Sequence, residues 1–107
     1  MSVIPKIYNF NEHYNGSTFS AIKIKFNFSI LNAEVIVKIR NVATLEVVFE
    51  WSIGKNITVV DIATGDIVLN QINAFSLAEG KYIYDLKIVF INGDSQTYIK
   101  GEVPIQF

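Results

Sequence analysis

The amino-acid sequence predicts an all-β protein: one domain over residues 1–107, folded as a two-sheet antiparallel sandwich of about seven strands. Three observations support this prediction. Apolar and polar residues alternate along much of the chain. Turn residues recur roughly every 8 to 12 positions, as they do in sandwich proteins. Half of the residues are hydrophobic, 50% of 107, which is enough to build a core although the chain has no cysteine.

The N-terminal third predicts two strands. The first segment, from about Val3 to Phe10, is turned by Asn15-Gly16-Ser17 into a longer strand. From residue 22 to residue 30 every second position is isoleucine or phenylalanine, with Lys23 and Lys25 among the polar residues between them. This alternation is typical of a strand with one face in the core and one in solvent, and a shift of one residue would expose the whole apolar set.

The same period predicts the central and C-terminal strands. Apolar residues alternate over residues 35–39, 45–53 and 82–90, and again from about residue 97 to residue 107. In the last strand the residues expected to face inward are Ile99, Val103, Ile105 and Phe107. Pro104 has no backbone N–H to donate, which is tolerated only on an edge or at a bulge, so this strand is expected to be an edge strand along part of its length.

Turn signals connect these strands. Asn92-Gly93 predicts one hairpin, because both residues tolerate a positive φ, and Thr64-Gly65-Asp66 predicts another between residues 57–60 and 67–69. A single helical turn is expected around residues 73–79, ended by Gly80 in a left-handed conformation.

The segment that begins at Leu77 predicts a tyrosine corner. A turn ending in Gly80 is followed by Tyr82, Tyr84 and Asp85 at the start of a long strand. In immunoglobulin-like sandwiches a tyrosine at this place packs in the core while its hydroxyl binds backbone upstream of the turn. The role predicted for Tyr82 or Tyr84 is therefore structural, and Asp85 is expected to face solvent or a neighbouring loop.

Residues suited to catalysis or metal binding are few, so no catalytic residue, cofactor or metal is predicted and the protein is not expected to be an enzyme. His13 is the only histidine and is expected in a surface loop. Asp61 and Asp66 flank a turn but lack the further oxygen ligands of a calcium loop, so they are expected to cap the turn.

Charge and hydropathy argue against two classes of partner. The formal net charge is −1 and the isoelectric point is about 5.7, which makes nucleic-acid binding an unfavourable interpretation. No apolar run approaches the roughly 20 residues of a membrane-spanning helix. The N-terminus lacks the regions of a secretory signal, so we expect folding in a cytoplasm.

Aromatic and aliphatic residues outside the predicted core are candidates for protein contacts. Tyr8, Tyr14 and Tyr98 are expected to be exposed, and could stack on a sugar or contact a protein. Ile7, Tyr8 and Phe10 belong to the N-terminal segment. That segment either covers its own sheet, which is the favoured interpretation, or extends onto a neighbouring molecule.

The order of these motifs resembles the immunoglobulin-like domain of tailed-phage virion proteins, best known at the N-terminus of baseplate upper proteins and fibre proteins. The strongest element is Gly-x-Tyr-x-Tyr-Asp at residues 80–85, followed by a hairpin and a Thr-x-x-x-Gly strand. The family's turn before the second long strand is replaced here by Ile30-Leu31-Asn32-Ala33. The similar segments are residues 15–19, 33–40, 56–61, 64–69, 80–86, 92–94 and 97–103.

The resemblance implies a structural role in a virion. The family domain commonly precedes a receptor-binding region, whereas this chain ends at Phe107, so a decoration, adaptor, tail or baseplate component is expected rather than a host-recognition fibre. Other virion proteins are the implied partners, and the chain is expected to be present in several copies or as a homo-oligomer. The alternative is a β-sandwich module that binds carbohydrate or another cell-surface ligand.

Overall fold

Ten β-strands and no helix lie within residues 4–107, the part of the chain that the computed structural model describes. The all-β class predicted from the sequence is confirmed. The strands are β1 (Lys6–Ile7), β2 (His13–Tyr14), β3 (Ile22–Lys25), β4 (Glu34–Asn41), β5 (Val47–Ile53), β6 (Asn56–Asp61), β7 (Asp66–Leu69), β8 (Tyr82–Val89), β9 (Ser95–Val103) and β10 (Ile105–Gln106).

Eight of these strands form one sheet in the order β1-β9-β8-β4-β5-β6-β7-β3, which curls into a half-barrel. Most pairs are antiparallel, while β1 with β9 and β5 with β6 are parallel. The predicted division into two separate sheets is not confirmed, because β5 and β6 connect the two halves. That connection is short and consists of the pairs Ser52↔Asn56 and Ile53↔Ile57. The small strands β2 and β10 pair with each other outside this sheet.

The central strands β4 and β8 follow the predicted alternation. Their inward residues are each at most 4% exposed, and the residues between them are more exposed. The two strands pair in register from Glu34↔Val89 to Asn41↔Tyr82 without interruption. The inward set consists of Val35, Val37, Ile39, Tyr82, Tyr84, Leu86 and Ile88.

The middle of the core is aromatic. Trp51 is fully buried, and its ring lies 4.7 Å from that of Phe49 and 5.6 Å from that of Phe19, measured between centroids. Phe10 stacks on Tyr84 at 3.9 Å, and Phe10 is itself 4% exposed. Aromatic rings in edge-to-face and offset contacts stabilise a core beyond their apolar area. The N-terminal segment therefore contributes to the core of its own domain.

Both predicted hairpins are confirmed. Asn92-Gly93 joins β8 to β9, with Gly93 at φ 89° and the Asn92 side chain accepting a bond from the Asp94 N–H at 2.9 Å. Gly65 joins β6 to β7 at φ 69°. A Cβ atom at Gly65 would lie 2.6 Å from the Phe28 carbonyl oxygen, so the turn also needs glycine for space.

Two predicted strands are shorter than expected. The strand expected over residues 22–30 ends at Lys25, because Asn27 adopts φ 63° and interrupts the extended backbone. The strand expected from residue 45 begins at Val47, since Leu45 lies in the preceding turn at φ 60° and is 61% exposed. Leu45, the first residue of the alternation predicted over residues 45–53, is therefore not part of the strand.

The helical turn predicted around residues 73–79 is also wrong. Asn73 and Ala74 form a turn, and Ala74 adopts φ 50°, outside the right-handed helical region. Phe75 is 3% exposed, and its backbone bonds the Asn15-Gly16-Ser17 turn, with Gly16 N–H donating to its carbonyl. Gly80 has φ 159°, close to extended rather than left-handed. Tertiary contacts of Phe75 replace the local hydrogen bonds of a helix.

The first and last strands of the described residues, β1 and β10, each pair with another strand. β1 pairs with β9, so the N-terminal segment covers its own sheet; Val3, placed in that segment by the sequence, lies outside the described residues. Pro104 separates β9 from β10, and its carbonyl accepts from the His13 N–H at 3.0 Å. Phe107, expected to face inward, is 57% exposed.

Candidate binding cleft

The two end strands of the sheet, β1 and β3, border one cleft. We call it the seam cleft; it has a volume of about 390 Å³. Lys6 and Tyr8 line one side, β3 lines the other, and Tyr98 lies between them. The half-barrel is therefore open along the line where a further strand would close it.

Within residues 4–107, the backbone of β3 is unpaired on the side of the cleft. Its one partner strand in that range is β7, and just beyond its end the Phe26 N–H donates to the Gly65 carbonyl at 3.1 Å. Backbone groups of residues two apart in a strand point to the same side. The N–H and C=O groups of Lys23 and Lys25 therefore point away from β7, towards the cleft.

The opposite side of the cleft is fixed by contacts around Tyr8. The Tyr8 N–H donates to the Lys100 carbonyl at 2.9 Å. The Tyr8 carbonyl accepts a bond from the Tyr84 hydroxyl, and it lies so close to Gly101 that a Cβ atom there would overlap it. Glycine at position 101 thus lets the N-terminal segment approach β9 and reach the core.

The Tyr84 phenol is the one titratable group with a clearly shifted pKa in the described part of the chain. Burial raises this pKa well above its ordinary value, because the charged phenolate would lose its hydration, and the nearby Tyr8 phenol adds to the effect. Tyr84 therefore remains a neutral hydrogen-bond donor to Tyr8 above the pH at which an ordinary tyrosine ionises.

One end of the seam cleft is lined by aromatic rings. The Tyr98 ring lies 5.4 Å from that of Phe28 and 6.1 Å from that of Phe26, between centroids. Phe90 lies behind them, 6.1 Å from Phe28. All four rings are partly buried, so they combine apolar area with access to solvent. This end of the cleft is suited to an apolar side chain.

The charged residues that line the seam cleft in the described part of the chain are lysines. They are Lys6, Lys23 and Lys25, and no carboxylate of residues 4–107 joins them. Among the described residues the ion pair within 4.0 Å is Lys38 with Glu50, at 3.9 Å on the outer face of the sheet. The cleft therefore presents positive charge beside apolar surface, which suits a ligand with both acidic and apolar groups.

A second depression of about 320 Å³ continues the seam cleft towards His13 and Glu12. His13 is 6% exposed, its Nε2 lies 3.0 Å from the Phe75 carbonyl, and its ring lies 5.3 Å from that of Phe19. The prediction of a surface loop for His13 was wrong. Its backbone pairs with Ile105 through β2 and β10, and its ring packs against those of Phe19 and Phe75.

The segment predicted as a tyrosine corner contains a hydrogen bond of that type. The Tyr82 hydroxyl donates to the Ala78 carbonyl at 2.5 Å. Leu77 is held by the Asn15 side chain, which accepts from its N–H at 2.8 Å and donates to its carbonyl at 3.1 Å. Asp85 is half-buried on the outer face, opposite Lys38 and Lys100 in the strand register. The role of Asn15 was not predicted from the sequence, in which its place in the Asn-Gly turn was the only signal.

The residues predicted to make contacts do not form one surface. Tyr8 is 44% exposed and lines the seam cleft with Tyr98, which is half-buried rather than exposed. Ile7 and Tyr14 are exposed at 62% and 67% but do not line it. Phe10, although it lines the cleft, belongs to the core at 4% exposure. The lining residues that were not predicted from the sequence as contact residues include Lys23, Lys25, Phe26 and Phe28. The two lysines had been predicted on a solvated strand face.

The described residues offer no clear metal site. Between residues 4 and 107 no group of three His, Asp or Glu side chains lies close enough to hold a metal ion. Asp61 accepts from the Ala63 N–H and Asp66 from the Thr64 hydroxyl, both at 3.0 Å, which confirms their predicted place in turn capping. The same part of the chain contains no helix long and apolar enough to cross a membrane.

The fold and the cleft define a class of protein: an all-β domain with an open strand edge beside an apolar, lysine-lined cleft. Comparison with known proteins adds no family to this description. The chain matches no protein-family model, no curated protein and no solved structure.

Proposed function

We propose that this chain is a non-enzymatic structural protein that acts through protein–protein contacts. The observation that supports this proposal is the seam cleft, where the unpaired backbone of β3 lies beside exposed apolar surface. Unpaired strand edges bind extended segments of other chains, since backbone groups supply the hydrogen bonds and adjacent pockets take the side chains.

The fold assignment that goes with this role is an immunoglobulin-like sandwich. In this assignment, strands β3, β7 and β6 would form one layer, and β1, β9, β8, β4 and β5 the other. The link between them, two residue pairs from β5 to β6, is the place where the chain crosses from one layer to the next. The aromatic rings around Trp51 and the Tyr82 bond to Ala78 support this assignment.

The assembly in which the chain acts is a bacteriophage virion. The support is the ordered resemblance of its motifs to virion domains, above all Gly-x-Tyr-x-Tyr-Asp at residues 80–85. The protein is a decoration, adaptor, tail or baseplate component, it is present in several copies, and its partners are other virion proteins.

Quantitative mass spectrometry of purified particles from a phage that encodes this chain tests the proposal. A fixed number of copies per particle is expected, high for a capsid decoration protein and low and symmetric for a neck, tail or baseplate component. A chain that is expressed during infection but missing from particles would refute the virion role.

A carbohydrate-binding module is the second candidate, because Tyr8 and Tyr98 line the same cleft and tyrosine rings stack on sugars. Selective binding on a glycan array, abolished by Tyr98→Ala and not by Tyr14→Ala, would favour it. The lysines and the unpaired strand edge favour the protein-binding role instead.

A further inference from the structure

The open edge of β3 indicates what kind of partner the protein binds. We infer that the seam cleft receives an extended segment of a different protein, which adds to the sheet beside β3 and alternates acidic with apolar residues. This inference rests on the proposed role in protein–protein contacts and specifies the chemistry of the partner.

The backbone of β3 provides the first part of the argument. The Phe26 bond to Gly65 shows that the even-numbered residues of β3 direct their backbone groups towards β7. Lys23 and Lys25 therefore direct their N–H and C=O groups away from β7. An added strand can pair with these groups in an ordinary ladder. β3 is four residues long, which sets the length of the pairing segment at about four to six residues.

The two faces of an added strand would meet different surroundings. Ile22 and Ile24 are half-buried on the inner face of β3, whereas Lys23 and Lys25 are exposed on the outer face. Since side chains alternate along a strand, every second residue of the partner faces the cleft and its aromatic end, near Tyr98. Those residues are apolar, and the residues between them lie beside the lysines.

Charge determines what the outward residues are. Lys23 faces Val68 across the sheet, and Lys25 faces Asp66, whose carboxylate accepts from the Thr64 hydroxyl at 3.0 Å. Neither lysine forms an ion pair within the described residues. Oppositely charged residues in directly opposed positions of two strands stabilise the pair, so acidic residues are favoured there.

A second copy of this chain fits the site poorly. Two β3 strands paired antiparallel about Ile24 would place Lys23 opposite Lys25, and like charges in that arrangement destabilise the pair. The edge at β1 carries Lys6, so pairing it with the β3 of a second copy would again bring lysines together. In the described part of the chain β5 pairs with β6 only through Ser52 and Ile53, so the rest of that side of β5 is a further open edge. The register shift near Val48 forms a bulge in this part of β5, and bulges hinder strand addition. The partner is therefore a different protein.

Titration of the isotope-labelled full chain with synthetic peptides, followed by amide NMR, tests the inference. The probe is a nine-residue peptide in which valine and glutamate alternate. One control replaces every glutamate by lysine. The other keeps the glutamates and replaces two valines by proline, which removes backbone donors and leaves the charge unchanged.

The expected result is binding of the glutamate peptide, with the largest amide shifts and slowed hydrogen exchange at Lys23 and Lys25. The lysine peptide should bind at least about fivefold more weakly, the order expected from exposed charge pairs. Lys23→Glu should reduce this preference, because Lys6 and Lys25 remain in the cleft lining. Lys87→Glu, which makes the same charge change on an exposed residue of β8 outside the cleft lining, should leave it unchanged.

Four outcomes would overturn the inference: no binding of the glutamate peptide, equal binding of the proline peptide, shifts confined to other strands, or self-association that protects the same amides. Binding of an acidic oligosaccharide at these residues without peptide binding would assign the cleft to carbohydrate. Because particle mass spectrometry tests the virion role separately, either proposal can fail while the other stands.

Discussion

Replacing Gly101 by alanine tests how the N-terminal segment is held. A Cβ atom at position 101 would overlap the Tyr8 carbonyl, which also accepts the Tyr84 hydroxyl bond. The segment must move, and overpacking of this kind costs about 1–3 kcal/mol. Loss of the Tyr84 bond adds about 1 kcal/mol. We expect a total loss of about 3 kcal/mol in the free energy of unfolding.

Urea and thermal unfolding measure this loss. For a domain of 107 residues, about 3 kcal/mol corresponds to a fall of about 13 °C in Tm. Lys100→Ala is the matched control, since Lys100 is exposed, adjoins Gly101 in β9 and bonds Tyr8 only through its backbone carbonyl. It should change stability by less than about 0.5 kcal/mol.

A double-mutant cycle with Tyr84→Phe isolates the shared contact. If the alanine at 101 displaces the Tyr8 carbonyl, Tyr84→Phe should cost less in that variant than in the natural chain, because the bond is already broken. Additive effects, or a loss below about 1 kcal/mol for Gly101→Ala alone, would refute the close approach of the segment to β9.

Three further predictions concern the titration of Tyr84 and the side-chain hydrogen bonds of Tyr82 and Asn15. Burial raises the Tyr84 pKa, so as the pH rises the unfolded chain loses the Tyr84 proton at a lower pH than the folded chain does. The free energy of unfolding should therefore fall above about pH 10, by up to 1.4 kcal/mol per pH unit. The free energy of unfolding, measured with urea at pH 9 to 11, should fall less steeply with pH for Tyr84→Phe than for the natural chain. Equal dependence on pH would contradict the raised Tyr84 pKa. Tyr82→Phe should cost about 1 kcal/mol through the lost bond to Ala78; an unchanged urea midpoint would exclude a stabilising corner. Asn15→Ala should cost about 1–3 kcal/mol, because it leaves both backbone groups of Leu77 without their partner. Asn11→Ala, at an exposed asparagine, is its control, and equal losses in the two variants would contradict the specific role of Asn15.

The elements that could be predicted from the sequence are those whose local pattern and tertiary environment agree. In β4 and β8 every second residue is apolar or aromatic and lies on the buried face, so period and burial coincide. The hairpin at Asn92-Gly93 needs a positive φ, and its sequence provides one. Here local preferences and the global fold favour the same structure.

The elements that could not be predicted depend on distant contacts. Residues 26–30 keep the apolar alternation of β3, yet the positive φ of Asn27 ends the strand, and no pattern distinguishes this asparagine from its neighbours. His13 is buried against Phe19 and Phe75, and its strand β2 pairs with β10, about 90 residues away in sequence. Phe75 is held by the Asn15-Gly16-Ser17 turn, which prevents the expected helical turn.

The seam cleft was predicted only in part. Tyr8 and Tyr98 were named as contact residues, and both line it. Lys23 and Lys25 had the pattern of a solvated strand face, and their exposure agrees with that pattern. Their significance arises from the strand order, which leaves β3 at the end of the sheet, and strand order is not encoded in local periodicity.

Hydrogen–deuterium exchange of this chain, free in solution and bound in purified particles, tests the central claim most directly. If β3 pairs with a partner strand in the assembled virion, the segment from Ile22 to Phe28 should exchange much more slowly in particles than in the free chain. The exposed Asn92-Gly93 turn should exchange equally in both. Unchanged exchange of the β3 segment in particles that contain the chain would contradict binding through the seam cleft.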